Sequence, residues 1–342
     1  MERITKMFGG AREGTASGLL PFLLLAGVTI IALILILANG HSLDQQSLYG
    51  LLQYFATIGP VALGFGLVMM AGHFDLSVAA MFGFGGIVAV LTGTDAWQLG
   101  LAAAVGSGIV SGVILGTIIV KLRMPSLPVT LGGMVTLTGL SYVLTSSKSV
   151  SFSNYDIGIK LSEPIAEVFS YRSITALVCF LVAAVVLRYT RLGRDLYAVG
   201  GNARAARSAG LKVGAITIGV LAVSGALTAL SGGMVAYTLA AAAPDTALNP
   251  LVPAAIAAVV GGVATGGGGG TALGIFAGVL TLSVIETTFN ILATPDYVSG
   301  VVYGSLLLLA MIAAAPERRN LWSWATPGLG STNGVQPKDT NA

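Results

Sequence analysis

Glu286 is the first candidate for chemistry in this sequence, because it is the one acidic residue that falls well inside a long apolar stretch. An ionisable side chain is costly inside a membrane, and such residues commonly line a solute pathway or a hydrated cavity. Asn290 follows four residues later and shares the same helical face. This pair can bond the hydroxyl groups of a solute. The alternative is that Glu286 lies near a membrane interface, or is neutral and bonded to a neighbouring helix.

Asp75 and Ser77 form a second candidate site, at the predicted start of the third apolar segment. A carboxylate at that place can cap the first turn of the helix and interact with the positive end of its dipole. The same side chains can instead act as pathway or gate residues. Under either interpretation we expect Asp75→Ala to be damaging.

The basic segment 190–213 is the most informative polar stretch of the chain. Asn202 is predicted to cap a short helix over residues 203–208, and Gly210 is predicted to end it. Arg204 and Arg207 lie three residues apart and therefore share one face of that helix. The segment is either a docking element for a partner or an ordinary basic loop on the cytoplasmic side of a membrane.

Two runs of glycine lead to two separate predictions about the backbone. Gly200 and Gly201 permit a sharp turn just before Asn202. The string of five glycines at 266–270 is followed by Thr271 and Ala272, and it lacks the lysine that a phosphate-binding loop requires. We therefore predict a flexible turn at 266–270 and no ATP site in this chain.

Other reactive groups do not form a site that sequence patterns can identify. His41 and His73 are isolated, and Cys179 is the single cysteine, so no metal or disulfide spacing exists. No zinc-protease or serine-hydrolase motif occurs. We expect no catalytic residue, no metal and no cofactor, and we do not expect an enzyme.

Composition identifies the environment that these residues need. Of 342 residues, 55% are hydrophobic and only 9% are charged, whereas a soluble domain carries about 25% charged residues. Such a chain needs lipid as its solvent. The net charge of +3 is small, so nucleic acid is not an expected partner.

The spacing of charges predicts an all-α integral membrane protein with about ten transmembrane helices. Residues 19–38 form the first span, since this run is too long for the apolar core of a signal peptide. The uncharged run after Asp245 is too long for one helix, and we divide it into a short, broken or half helix at 251–264 and a full span at 271–292. The predicted organisation is an N-terminal cytoplasmic segment at 1–18, one transmembrane domain at 19–315 and a disordered cytoplasmic tail at 316–342.

Lysine and arginine predict the orientation. With ten spans and a cytoplasmic N-terminus, 14 basic residues fall inside and only Lys148, Lys160 and Arg172 fall outside. This bias obeys the positive-inside rule and places both termini in the cytoplasm.

Several motifs resemble those of one family, and they occur in that family's order. The string GRDLYAVGGNARAARSAGL at 193–211 resembles the cytoplasmic loop of ribose-type ABC transporter permeases, in the branched-chain amino acid and ribose permease superfamily. GHFDLSV at 72–78, PSLPVTLGGM at 125–134 and the alanine- and glycine-rich stretch at 254–274 resemble three further motifs, with a weaker echo at 290–292. The resemblance covers about residues 15–315.

The resemblance implies a permease subunit that imports a monosaccharide or related polyol across the bacterial cytoplasmic (inner) membrane. Its implied partners are a cytoplasmic ABC ATPase, an extracytoplasmic substrate-binding protein and a second permease subunit, either a second copy or a paralogue. The coupling loop to the ATPase would then comprise Gly193, Arg194, Tyr197, Gly200, Gly201, Asn202, Arg204, Arg207 and Gly210. The other class of function is a stand-alone secondary transporter or channel for a small polar solute, which normally shows more intramembrane acids.

The sequence also departs from the family pattern. His73 and Ala79 replace usual glycines, and Glu286 stands where the family tends to have asparagine. Val252 and Ala254 stand where the family often has an acidic pair. These departures affect the identity of the substrate more than the class of protein.

Overall fold

The computed structural model describes residues 2–94, 96–244 and 249–314. The predicted tail at 316–342, with its three basic residues, lies outside this part of the chain. The described elements are α1 (Glu2–Ala38), α2 (Gln45–Met70), α3 (Val78–Thr92), α4 (Trp97–Leu122), α5 (Ser126–Thr145), β1 (Val150–Ser151), α6 (Tyr155–Ser162), α7 (Tyr171–Tyr189), α8 (Arg191–Gly201), α9 (Ala203–Ser208), α10 (Val213–Thr238), β2 (Ala241–Ala242), α11 (Leu251–Val260), α12 (Ala272–Ile291) and α13 (Asp296–Ala314). The fold is helical, as predicted, apart from one small antiparallel ribbon in which Val150 pairs with Ala242 and Ser151 with Ala241.

Seven of the described helices are long and apolar enough to cross a membrane. They are Leu19–Ala38, Gln45–Met70, Trp97–Leu122, Ser126–Thr145, Tyr171–Tyr189, Val213–Thr238 and Ala272–Ile291. Three apolar helices are shorter: Val78–Thr92, Leu251–Val260 and Tyr297–Ile312. The molecule is therefore a multi-pass membrane protein, while the total of about ten spans and the cytoplasmic position of both termini stay predictions.

The division of the long uncharged run is confirmed. Helix α11 ends at Val260 after 10 residues, and α12 begins at Ala272. The glycine-rich stretch between them has positive φ angles at Gly262, Gly267, Gly268 and Gly270. A right-handed α-helix needs φ of about −63° at every residue, so four positive φ angles within nine positions exclude a continuous helix here.

Helices α2 and α10 form the centre of the bundle. Most of the second half of α2 is buried, and α10 packs closely on α4 through small residues at four-residue spacing. A Cβ atom added at Gly108 of α4 would lie 2.2 Å from the carbonyl oxygen of Gly225, and one at Gly112 would lie 2.2 Å from that of Leu221. Such close packing of backbones is typical of helix pairs in membranes.

The two ends of α2 define two ends of the molecule. At its start, the hydroxyl of Tyr49 donates to the carbonyl of Ser162 at the end of α6. We call this the ribbon end, because β1 comes just before α6 and pairs with β2, which comes just after α10. At its finish, the Met70 carbonyl accepts the N–H of Gly268 close to α8, and we call this the α8–α9 end. A helix of 26 residues separates the two ends by about 39 Å.

Candidate functional site

Asn202 joins two short helices in the basic segment 190–213. Its side chain accepts hydrogen bonds from the N–H groups of Arg204 at 3.1 Å and Ala205 at 3.0 Å. These bonds satisfy two of the free donors at the start of α9, as predicted. Gly210 adopts φ +84° just after α9, so the predicted end of the helix is also confirmed.

The predicted turn at Gly200 and Gly201 is wrong. Both residues belong to the last turn of α8, and the chain changes direction at Asn202, which has an extended backbone with φ −159°. The prediction failed because glycine permits a turn without requiring one. In this structure the small size of Gly200 matters more than its backbone freedom.

The outer surface of α8 and α9 is basic. Arg191, Arg194, Arg204 and Arg207 are all exposed, and Leu192 adds an apolar side chain that is 66% exposed. The inner surface is apolar and close-packed: Leu196 and Val199 are buried, and a Cβ on Gly193 would lie 2.1 Å from the carbonyl oxygen of Leu187. The helix pair therefore exposes its arginines on the outer face, while its inner face packs against the bundle.

The end of α8 meets two other segments, the residues at the end of α2 and the string at 266–270, and we call their contact the glycine junction: Gly72, Gly200, Gly201, Gly267 and Gly268. A Cβ on Gly200 would lie 1.8 Å from the carbonyl oxygen of Met70 and 2.6 Å from the nitrogen of Gly268. The string at 266–270 is thus more than the flexible turn that its composition predicts. It is hydrogen-bonded to the end of α2 through Gly268 at 2.9 Å and to the hydroxyl of Tyr197 through the carbonyl of Gly270 at 2.8 Å.

Tyr197 lies at the edge of this junction, in the middle of α8. It is half-buried, and burial raises the pKa of its phenol above the ordinary value. The hydroxyl therefore stays protonated at neutral pH and remains a hydrogen-bond donor to Gly270.

Asp75 lies in the turn that connects α2 to α3, and it is 2% exposed. One carboxylate oxygen accepts the N–H and the hydroxyl of Ser77. The other accepts the hydroxyl of Ser224 on α10 at 2.8 Å. Ser77 itself is the residue that precedes α3, so Asp75 closes the entry turn rather than capping the first helical turn, and it fastens that turn to α10.

Glu286 lies on α12 and is partly buried. Its carboxylate accepts the hydroxyl of Tyr303 on α13, and that hydroxyl lies 3.3 Å from the hydroxyl of Tyr54 on α2. Asn290 is exposed one turn further along α12. Sequence reasoning missed both tyrosines because their proximity to Glu286 depends on helix packing, although a tyrosine in an apolar helix is itself a sign of a polar contact.

Arg172 is a second residue that sequence reasoning misjudged, since we counted it only as a loop cation. It lies in the first turn of α7, is 7% exposed, and donates to Thr57 at 2.6 Å and to Gln53 at 3.3 Å. Both partners are neutral, and the Nε atom has no hydrogen-bond partner in the described part of the chain. A buried cation with neutral partners, at the positive end of a helix, is an unfavourable arrangement.

Comparison with known proteins identifies the family. A family model described as the permease component of the branched-chain amino acid transport system matches residues 47–311. The L-arabinose ABC transporter permease of Azospirillum brasilense is 32% identical over 300 residues, which cover 84% of this chain and 86% of that protein. The ribose import permease of Escherichia coli K12 is 30% identical over 319 residues, covering 90% and 98%, and the autoinducer 2 import permease of Enterobacter sp. strain 638 is 30% identical over 292 residues, covering 83% and 85%. The motifs at 72–78, 125–134, 193–211 and 254–274, the multi-pass helical fold and these matches together show that the chain belongs to the ribose-type permease family of ABC transporters.

Proposed function

We propose that this protein is the membrane-spanning subunit of an ATP-driven importer that carries a monosaccharide or related polyol across the bacterial cytoplasmic membrane. A separate cytoplasmic ATPase supplies the energy, and an extracytoplasmic binding protein delivers the solute. A second permease subunit, either a copy of this chain or a paralogue, completes the pathway. The names of the arabinose, ribose and autoinducer 2 permeases support the substrate class.

The observation that carries this proposal is the geometry of α8 and α9. Four exposed arginines and an exposed leucine lie on the outer surface of α8 and α9, and the other face of α8 contacts the end of α2 and the 266–270 loop that leads into α12. A partner that binds this surface can therefore pull or push on the bundle. The positive-inside prediction puts the α8–α9 end in the cytoplasm, where an ATPase would be.

Among the acids, Glu286 is the stronger candidate for contact with the solute. Both carboxylate oxygens of Asp75 are already occupied by hydrogen bonds within the protein, and its side chain is buried. Glu286 is partly exposed and lies beside two tyrosine hydroxyls. A few polar groups within an apolar wall are typical of small-molecule sites, and we assign Asp75 and Ser77 to the support of the α2–α3 turn.

Transport in reconstituted vesicles tests the proposal. We expect uptake of a labelled pentose or hexose only when the permease, its ATPase and the binding protein are all present with ATP, and no uptake with a non-hydrolysable ATP analogue. A panel of labelled sugars and polyols then identifies the substrate. The assay with the complete transporter serves as the reference for every variant below.

A stand-alone transporter is the second candidate, because Glu286 is the kind of intramembrane acid that ion-coupled carriers use. Uptake by the permease alone, driven by a proton or sodium gradient, would support that function. It would also overturn the ATP-driven one.

A further inference from the structure

Gly200 and Gly201 are consecutive residues in the last turn of α8, but a side chain added at each would meet different surroundings. A Cβ on Gly200 would collide with the carbonyl oxygen of Met70 at 1.8 Å, while a Cβ on Gly201 would have nothing within 4 Å. Only hydrogen atoms fit between α8 and the end of α2 at this point. Of these two residues of α8, only Gly200 must lack a side chain for α8 to approach Met70 this closely.

The contact at Gly200 joins backbone from three distant parts of the chain: α8, the end of α2 and the string at 266–270. Gly267 packs on Gly200 and Gly72, since a Cβ on Gly267 would lie 2.7 Å from the oxygen of the former and 2.7 Å from the Cα of the latter. Gly268 donates to Met70 across the same contact. Backbone atoms have no alternative rotamers, so a displacement of α8 here must move its neighbours rather than be absorbed by side chains.

Each neighbour leads to a different part of the bundle. From Gly72, the chain runs within three residues to Asp75, which is bonded to Ser224 on α10. From Gly268, it runs to Thr271, whose hydroxyl accepts the N–H of Gly274 at the start of α12. The junction therefore connects α8 to the α2–α3 turn and to the α11–α12 loop at the same point.

We infer that Gly200 is the positioning residue through which movement of the α8–α9 pair reaches the transmembrane helices. This inference rests on the proposed function, because it requires an ATPase that moves α8 and α9. It assigns to the glycine string at 266–270 the role of a mechanical link. Coupling between distant sites is carried by such contiguous packed elements when they have two arrangements.

The test compares Gly200→Ala with Gly219→Ala in the complete transporter. For Gly200→Ala we expect normal co-purification with the ATPase and ATP hydrolysis close to wild type, but a loss of uptake of about tenfold, which is within the usual range for a change in coupling. For Gly219→Ala, on α10, where a Cβ would have nothing within 4 Å, we expect all three measurements to match wild type. Loss of uptake together with loss of ATPase binding would overturn the inference, because Gly200 would then only shape the docking surface.

A second variant keeps the inference testable if Gly200→Ala does not fold. Tyr197→Phe retains the ring and removes the donor to the Gly270 carbonyl, without introducing any new atom. We expect the amount of sugar moved per ATP hydrolysed to fall about twofold to threefold with unchanged assembly. An unchanged ratio would overturn the role of the junction.

The outcomes for wild type separate this inference from the proposed function. Wild-type uptake that needs no ATPase would overturn the proposed function itself. ATP-dependent wild-type uptake combined with full activity of both Gly200→Ala and Tyr197→Phe would overturn only the inference about the junction.

Discussion

The two ends of α2 are held by contacts of different kinds. From the ribbon end to the middle of α2 the contacts are made by side chains: Tyr49 donates to Ser162, Gln53 donates to Ser170 at 2.8 Å, and Arg172 donates to Thr57. At the α8–α9 end they are made by backbone, in the glycine junction around Met70. One end is a set of separate hydrogen bonds, whereas the other is a single packed unit.

This difference bears on how a transporter alternates between open and closed states. Side-chain hydrogen bonds at the ribbon end can break one at a time and be replaced by water, so their net cost is modest. A backbone contact without rotamers moves as a whole or not at all. The ribbon end is thus suited to opening and closing, and the α8–α9 end is suited to transmitting force.

The largest effect that we predict is at Gly267, in the packed unit. Gly267→Ala places a side chain at φ +85°, in the left-handed region, and against backbone of Gly200 and Gly72 at 2.7 Å. Strain of this kind costs about 1–3 kcal/mol before any collision is counted, and we expect a large loss of unfolding free energy. Thermal unfolding of the purified protein in detergent measures it.

Gly266 is the matched control for this prediction, since it belongs to the same string. A Cβ there would have nothing within 4 Å, and its φ lies outside the left-handed region. Gly266→Ala should therefore be neutral or stabilise by about 0.4–1 kcal/mol, because alanine reduces the freedom of the unfolded chain. Equal unfolding temperatures for the two variants would mean that the junction is not packed as described.

A smaller effect is expected at Arg172, among the side chains of the ribbon end. Arg172→Lys keeps a buried charge but loses the planar fork that donates to Gln53 and Thr57 together. We expect a loss of about 1–3 kcal/mol in unfolding free energy, the usual cost of leaving buried polar groups without partners. Thermal unfolding under the same conditions gives the comparison with Gly267→Ala.

Arg172→Met separates the charge from its hydrogen bonds. It removes the same donors but also removes a buried cation whose partners are neutral, and desolvation of a buried ion costs several kcal/mol. We therefore expect Arg172→Met to be less destabilising than Arg172→Lys. The opposite order would show that an unseen anion compensates the charge in the folded protein.

Lys148→Arg is the control for both Arg172 variants, because it exchanges one basic side chain for another at an exposed position. It should change the free energy of unfolding by less than about 0.5 kcal/mol.

Local features of this fold could be predicted from the sequence, and contacts between distant segments could not. The cap at Asn202, the end at Gly210 and the division between α11 and α12 all follow from residue preferences over a few positions. Gly200 and Gly201 are identical in sequence terms, yet one faces the Met70 carbonyl and the other faces open space. The sequence predicted Arg172 as a loop cation for the same reason: its burial depends on how α7 packs against α2, which no local pattern shows.

A smaller, local effect is expected at Asn202, which lies beyond the junction. Asn202→Ala removes the acceptor for the N–H groups of Arg204 and Ala205, at a typical cost of about 1 kcal/mol. Helix α9 has only six residues and depends strongly on its cap.

Hydrogen exchange over residues 202–210 measures this effect directly. For Asn202→Ala we expect exchange about fivefold faster in α9, which corresponds to about 1 kcal/mol of local stability, with an unchanged rate across Tyr197 and the rest of α8. Asn202→Ser restores an acceptor and should restore the slow rate. If faster exchange extended through α8 to the 266–270 loop, then the cap would be part of the packed unit, and the boundary between local and transmitted contacts would lie at α9 rather than at Gly200.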